Sequence, residues 1–335
     1  MTTVIAARKT LGRIDLPASV TSGLRDELIE MENPSDNPDL STTQLLQAFA
    51  SILDTEDLQQ ILDAGRHPDT PGVTLLTGLP TDPVLPDTPP DGGPANNKAT
   101  YVSEGTVLGL SALVGEPYGV HSEKDGQLVH DVIPVQSGAN TQTNMGSTVF
   151  LNFHNDIIHD PVGHYTLANP DFLILLCVRS DPEGNALTYY ADARDVVSRL
   201  SPSHTEQLRQ AQFQLNAPGS YCRAVGQDQV LSDVTPIITG PDEFPEVATS
   251  ANGIVALTRA GQLALDAFQV ACQEVAHEVA LRPGQALIIN NRKGLHARSS
   301  FVARHDGSDR WLQRTYVRRS FWNSRYRAEQ DRRLL

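Results

Sequence analysis

The sequence predicts a mainly β protein with flanking helices, built on an antiparallel double sheet of jelly-roll type. From about residue 100 onward the chain is a succession of short β-rich runs bounded by turn residues. Two long helical patterns interrupt them. The strands and helices do not alternate in the strict strand–helix–strand order of a parallel sheet.

Taken in chain order, "STTQLLQAFASIL" (41–53) puts Leu45, Leu46, Phe49, Ile52 and Leu53 on one face at helical spacing, with Ser41 or Thr42 as its N-cap. "TEDLQQILDAG" is a second helix that stops at a glycine, and "GVTLLTGLP" is a short buried strand. "PTDPVLPDTPPDGGPANN" (80–97) is rich in Pro, Gly and Asp and reads as a surface loop inside one domain. Beyond it, "STVFLNFH", "DFLILLCVRS", "ALTYYADA", "QALIIN", "LHARSSFV" and "WLQRTYVRR" are the strands. The two helical stretches among them are "DARDVVSRLSPSHTEQLRQA" and "TRAGQLALDAFQVACQEVAHEVAL". In the second, Ala264, Phe268, Cys272, Val275 and Val279 form an apolar stripe that should pack on a sheet. No internal repeat is visible. The expected organisation is a single domain over 1–335: a helical N-terminal part and Pro-rich loop (1–100), a jelly-roll core with helical insertions (101–320), and an arginine-rich tail (321–335).

Composition narrows the function classes. A chain of 335 residues, 39% of them hydrophobic, can bury a sizeable core. The formal net charge of −14 disfavours a nucleic-acid partner. Cys177, Cys222 and Cys272 are widely spaced and form neither a disulfide framework nor a CxxC metal site, which suits a reducing compartment. The N-terminus has no signal-peptide core, and no apolar run approaches the roughly 20 residues of a membrane span. The expectation is a soluble, cytoplasmic protein with no membrane partner.

The segment "LNFHNDIIHD" (151–160) concentrates His154, Asp156, His159 and Asp160. On a strand, residues i and i+2 share a face, so H-x-D delivers an imidazole and a carboxylate together. His121, His130, His204 and His277 have no acid at i+2 and sit in turn-like or helical contexts, so they read as surface or structural histidines. His296 differs: it follows an apolar strand and an Asn/Gly turn, at what would be the mouth of the barrel. Two His and one carboxylate on one face make the facial triad of a non-haem Fe(II) centre, whose open positions suit a keto acid and then dioxygen. A keto-diacid needs a cation at its far end, and Arg310 and Arg314 trail His296 on the next strand. His159 and Asp160 read either as residues behind the ligands or as caps of the following loop.

With "FHND", "DFLILLCVRSDPEGNALTYYADARDV" and "LIINNRKGLHARSSFVARHDGSDRWLQRTYVRRS" in view, the chain resembles the clavaminate synthase-like branch of the Fe(II)/2-oxoglutarate oxygenases. That branch includes arginine and asparagine hydroxylases of peptide-antibiotic pathways. The likeness covers most of the chain and is densest over 128–200 and 284–319. It implies a double-stranded β-helix of cupin-like type, and Fe(II), 2-oxoglutarate and O2 as cofactor and co-substrates. Position by position, it implies His154, Asp156 and His296 as iron ligands. Arg310 and Thr188 would hold the distal carboxylate of 2-oxoglutarate, and Arg314 would face the substrate carboxylate. Asn152, Ser250, Asn252 and His159 complete the implied substrate wall.

The chain departs from its relatives in three places. Asp156 stands where most carry glutamate, yet it is a carboxylate and not the Gly or Ala of the halogenating relatives, so oxygenation is expected. The stretch "IIHDPVGHYTLANP" after the motif is longer than usual. In "FPEVATSANGIVAL", Thr249, Ser250 and Asn252 stand where arginine hydroxylases carry acids, so a cationic side chain would lack its counter-ion and a neutral one is expected. The resulting expectation is hydroxylation of an L-amino acid or a derivative, free or tethered to a carrier protein, with "APGSYCRAVGQDQVLSDVTP" (217–236) as a lid. Desaturation or cyclisation by the same chemistry stays open. So do a metal-dependent hydrolase or isomerase on a cupin fold, which needs neither Arg310 nor Thr188, and a metal-free binding module.

Overall fold

Alternation of side chains along the strands decides the layering. The computed structural model describes residues 11–95, 97–141, 143, 145–156, 169–322, 325 and 333–334. In chain order the strands are β1 (Leu11–Asp15), β2 (Val73–Thr77), β3 (Glu116–Tyr118), β4 (His130–Val132), β5 (Leu151–His154), β6 (Phe172–Arg179), β7 (Thr188–Asp192), β8 (Phe213–Leu215), β9 (Ile238–Thr239), β10 (Glu246–Val247), β11 (Ile254–Ala256), β12 (His277–Val279), β13 (Ala286–Asn290), β14 (Gly294–Arg298) and β15 (Trp311–Arg318). The major sheet runs β1-β2-β13-β6-β15-β3, with β4 also on β15, and the minor sheet runs β12-β7-β14-β5. Among the named strands of the two large sheets only the β1–β2 pair is parallel; the rest are antiparallel, as expected.

On β6, Phe172, Ile174 and Leu176 pack against the N-terminal helices, while Leu173, Leu175 and Cys177 enter the layer that also holds Tyr190 of β7. On β13, Ala286 and Ile288 alternate with Leu287 and Ile289 in the same way. On the minor sheet, Phe153, Ala191, Leu295 and Ala297 point outward into a third cluster, built with Phe268 and Cys272 of the helix Arg259–Val275. The residues between them, His154 and His296, therefore face the space between the sheets.

The N-terminal part contributes helices α1 (Ala18–Leu28), α2 (Pro38–Ile52) and α3 (Thr55–Arg66), followed by α4 (Val102–Val114). Helix α2 begins ahead of the expected Ser41 or Thr42 cap: Asn37 accepts from the Leu40 amide at 3.4 Å, and Pro38 fits the first turn. Its stripe is only partly buried, since Leu46 is exposed. Gly109 lets α4 approach α2, because a Cβ there would overlap the Phe49 ring.

Several expectations fail for identifiable reasons. Strand β1 and helix α1 were not anticipated, nor was α4, which is buried on nearly every side and so shows no amphipathic period. The stretch 192–211 forms two helices, Ala193–Arg199 and Pro202–Leu208, because Ser201 is extended before a proline and caps the second helix through the His204 amide. The long C-terminal helix ends at Val275, and Ala276 turns extended. Val279 belongs to β12 and packs with the inter-sheet cluster rather than on the helical stripe. Among the described residues no helix is long and apolar enough to cross a membrane.

Candidate metal centre

Strand pairing brings the histidines together: His296 of β14 lies opposite His154 of β5, with ring centroids 4.2 Å apart. Asp156 sits two residues past the end of β5, so strand alternation alone does not aim it. The side chain of Asn291, in the β13–β14 turn, does so instead. Its Oδ1 accepts from the Asp156 amide at 2.9 Å, and its Nδ2 donates to the Asp156 carbonyl at 2.8 Å. Asn155 adds a second clamp by donating to the carbonyls of Asn291 and Gly294. The ligand atoms of His154, Asp156 and His296 lie within 4.8 Å of one another.

The donor set fits a divalent metal. His154 Nδ1 bonds the Asn152 carbonyl at 2.7 Å; as the donor there, it turns Nε2 toward Asp156. Burial lowers the pKa of both imidazoles, His296 to about 3, so each is neutral with a free lone pair. Burial would raise the carboxyl of Asp156, but the Arg314 guanidinium outweighs it and holds it below the usual carboxylate range. Arg314 Nη1 donates to Asp156 Oδ2 at 2.7 Å, which leaves Oδ1 on the side of His154 and His296.

A cavity of about 700 Å³ opens over the triad. Arg310 lines it, one residue before β15, with Leu312, Arg314 and Tyr316 following at period 2. Arg310 is buried, and burial lowers its pKa to about 10. Its one close polar neighbour among the described residues is Thr188, whose hydroxyl lies 3.5 Å from Nη2. A buried guanidinium with no carboxylate partner is a costly arrangement unless an anion completes it, and the distal carboxylate of 2-oxoglutarate fits that description.

Arg314 is more heavily engaged than the sequence implies. Besides Asp156, its Nη2 lies 3.3 Å from Glu123 Oε2 and 3.2 Å from His130 Nδ1. Glu123 also accepts from the Tyr316 hydroxyl at 2.7 Å.

A family description, "Taurine catabolism dioxygenase TauD, TfdA family", matches residues 53–316. The chain belongs to this family. It is 34% identical over 248 residues to an L-asparagine oxygenase of Streptomyces coelicolor, covering 73% of this chain and 71% of that protein. It is 32% identical to an L-lysine 3-hydroxylase of Catenulispora acidiphila, covering 73% and 67% of the two chains. Among solved structures, an asparagine oxygenase with Fe(II), 3-hydroxyasparagine and succinate superimposes with a TM-score of 0.85 at 29% identity, over 96% of this chain and 98% of that one. The oxygenase OrfP with Fe and α-ketoglutaric acid shares the fold, with a TM-score of 0.79. This chain is accordingly an Fe(II)/2-oxoglutarate-dependent oxygenase on a jelly-roll core, and its donor set suits that metal.

In this TauD-family oxygenase, His154, Asp156, His296, Arg310, Thr188, Arg314, Ser250 and Asn252 all border the one cavity. Asn152 does not. A bulge in the β5–β14 pairing sets Arg298 opposite Leu151 instead of Asn152, so Leu151 lines the cavity and the Asn152 side chain is exposed. Thr249 is buried and bonds Asn155 rather than facing the cavity. His159 and Asp160 lie outside the described residues. The expected lid borders the cavity through Pro218, Gly219 and Ser220, but it contains a short helix, Gly219–Ala224.

His130 takes the structural rather than the surface reading, on β4 instead of a turn or helix, and its burial against Arg314 beside the site was not anticipated. Glu123, Tyr316 and Asn291 were also missed. No local motif marks any of the four, since only β15 and the β13–β14 turn bring them to the site.

Proposed function

We propose that this oxygenase hydroxylates an unactivated C–H bond of a free L-amino acid whose side chain is not cationic, with 2-oxoglutarate converted to succinate. The observation that carries the reading is the Glu123–Arg314 pair in the wall of the cavity that holds the triad and Arg310. A zwitterionic amino-acid head group presents the inverse pair, an α-carboxylate for Arg314 and an α-ammonium for Glu123. A substrate tethered to a carrier protein through its carboxyl would leave Arg314 without that partner, so the free amino acid is favoured. Natural-product biosynthesis, antibiotic pathways included, and a cytoplasmic location belong to the same reading. The amino-acid hydroxylase part of it is supported by the likeness to an enduracididine β-hydroxylase of Streptomyces hygroscopicus at 29% identity.

Bound Fe(II), with 2-oxoglutarate and dioxygen, supplies the oxidising power. The chain supplies position. His154, Asp156 and His296 would hold the metal from one side and leave the cavity side open. Arg310 and Thr188 would orient the co-substrate through its far carboxylate. Leu173, Leu175, Ile289 and Leu312 give the cavity an apolar wall that limits water around the reacting carbon.

The test is an anaerobic visible titration with Fe(II) and 2-oxoglutarate, then turnover in air with a panel of free amino acids. A weak charge-transfer band that is lost in His296→Ala, and succinate formed in step with a product one oxygen atom heavier, are the expected results. A product two hydrogens lighter would indicate desaturation or ring closure. Turnover that survives Arg310→Ala without 2-oxoglutarate would favour a hydrolase or isomerase.

A further inference from the structure

Among the described residues the cavity wall carries two carboxylates, Glu123 and Asp156, against Lys124 and four arginines. Fe(II) and the dianion 2-oxoglutarate cancel when both are bound, and the head group of an amino acid adds no net charge. The site therefore keeps an excess of positive charge, and most of it is already occupied. Arg310 faces the co-substrate, and Arg314 is held by Asp156 and Glu123. Arg298 donates to the backbone carbonyls of Gly146, Val149 and Ser299. Lys124 donates to the Gly92 carbonyl at 2.8 Å.

Arg223 is different. It lies on the short helix Gly219–Ala224, in the segment over the cavity, beside Gly219 and Ser220. Among the described residues its guanidinium has no hydrogen bond or ion pair, and the two lining carboxylates, Glu123 and Asp156, are both paired with Arg314. Ser250 and Asn252, which line the same cavity, offer neutral polar groups and no acid.

We propose that Arg223 is the specificity residue for the substrate's side chain, and that this side chain ends in a carboxylate: an acidic L-amino acid. The inference rests on the amino-acid reading above and narrows it from a non-cationic to an anionic side chain. Arginine's planar fork matches a carboxylate with two parallel hydrogen bonds, and a carboxamide can satisfy only part of that fork. A lysine or arginine side chain in the same position would meet a like charge with no counter-ion. Because Arg223 is exposed, the expected gain is at the low end for a charge-assisted pair, roughly tenfold in affinity.

Anaerobic calorimetry on the enzyme loaded with Fe(II) and 2-oxoglutarate tests this, with L-aspartate, L-glutamate, L-asparagine, L-glutamine and L-lysine titrated separately. One of the acids should bind roughly tenfold more tightly than its amide, and lysine should give no binding heat. Arg223→Gln should remove that advantage, leaving the acid no tighter than its amide. Arg223→Glu should admit lysine. Tighter binding of the amide, or an acid preference that survives Arg223→Gln, overturns the role of Arg223 and leaves the amino-acid reading intact. If none of the five binds to enzyme that retains iron and 2-oxoglutarate, this inference falls, and the amino-acid reading is then judged on the wider panel.

Discussion

Among the described residues no carboxylate pairs with the buried guanidinium of Arg310, and its burial makes the consequence measurable. Truncating it to Ala should weaken 2-oxoglutarate binding by about 100-fold, because a buried charged pair loses one partner. Thr188→Val, which removes a single neutral hydroxyl, should cost only roughly fivefold. Equilibrium binding of 2-oxoglutarate to the iron-loaded variants separates the two. His130 makes a different prediction. Burial, reinforced by Arg314, lowers its pKa from 6.5 to about 3, so the folded protein keeps it neutral while the unfolded chain protonates it below 6.5. The unfolded state then binds the extra proton, so the stabilisation is complete above pH 6.5 and is lost as the pH falls toward 3. The loss is at most about 1.4 kcal/mol per pH unit, or ~2 kcal/mol between pH 6.5 and 5. His130→Gln keeps an acceptor for Arg314 and cannot charge. Its unfolding free energy in urea should therefore fall by ~2 kcal/mol less than that of the parent between pH 7 and pH 5. An identical fall in both proteins would remove His130 from the acid response.

Among the elements, the β13–β14 turn matters more to the iron site than its length suggests. The chain leaves the major sheet at Asn290 and enters the minor sheet at Gly294, and Asn291 between them holds Asp156 and the Pro170 carbonyl. Asn291→Ala removes three buried hydrogen bonds and should lower Fe(II) affinity by roughly 10- to 100-fold, while Arg310 still binds its anion. A metal titration showing parent affinity would mean that Asp156 is aimed by something else. The same turn shows what the sequence makes legible and what it does not. His154 and Asp156 stand out because H-x-D is a local pattern, His296 because of its strand–turn–strand setting, and Arg310 through the family resemblance; the structure gathers the first three within 4.8 Å of one another and sets Arg310 in the same cavity. Asn291 and His130 do not stand out, since their roles exist only once β13, β4 and β15 are assembled. Helix α4 was hidden for a related reason: Tyr101 gives it no side-chain cap, and the cap comes from Asp82, which accepts from the amides of Val102 and Ser103 at 3.1 and 3.2 Å. The bulge that turns Asn152 outward belongs to the pairing of two strands and is invisible in either alone.

At the scale of the whole molecule, the Pro-rich stretch that begins at residue 80 has no core of its own: Thr88 bonds the Gly307 and Asp309 carbonyls, Arg179 donates to the Pro86 carbonyl at 2.8 Å, and a charge network ties its two ends together. Asp82 near its start meets Lys98 just past its end at 2.8 Å, and Lys98 also donates to Glu104 of α4 at 2.6 Å. Glu104 accepts from Gln313 of β15, which donates to Asp131 of β4 as well, and the Trp311 indole donates to Asp131 at 2.7 Å. The network thus runs from the loop through α4 to the strand that carries Arg314. Lys98 is buried between the two carboxylates, so Lys98→Met leaves a pair of acids facing each other with no cation. Burial already raises Glu104, while Lys98 is the group that outweighs burial at Asp82 and lowers it. The expected loss is about 3–5 kcal/mol of unfolding free energy, the range for a broken buried ion pair. Lys98→Met combined with Asp82→Asn and Glu104→Gln removes the charge conflict and should recover part of that loss. If the triple variant is no more stable than Lys98→Met alone, the loop is held by its apolar contacts and not by the network. Amide exchange over 80–98 decides between these: release of the loop in Lys98→Met, with protection retained in α4 and β15, is the outcome expected if charge is what holds it.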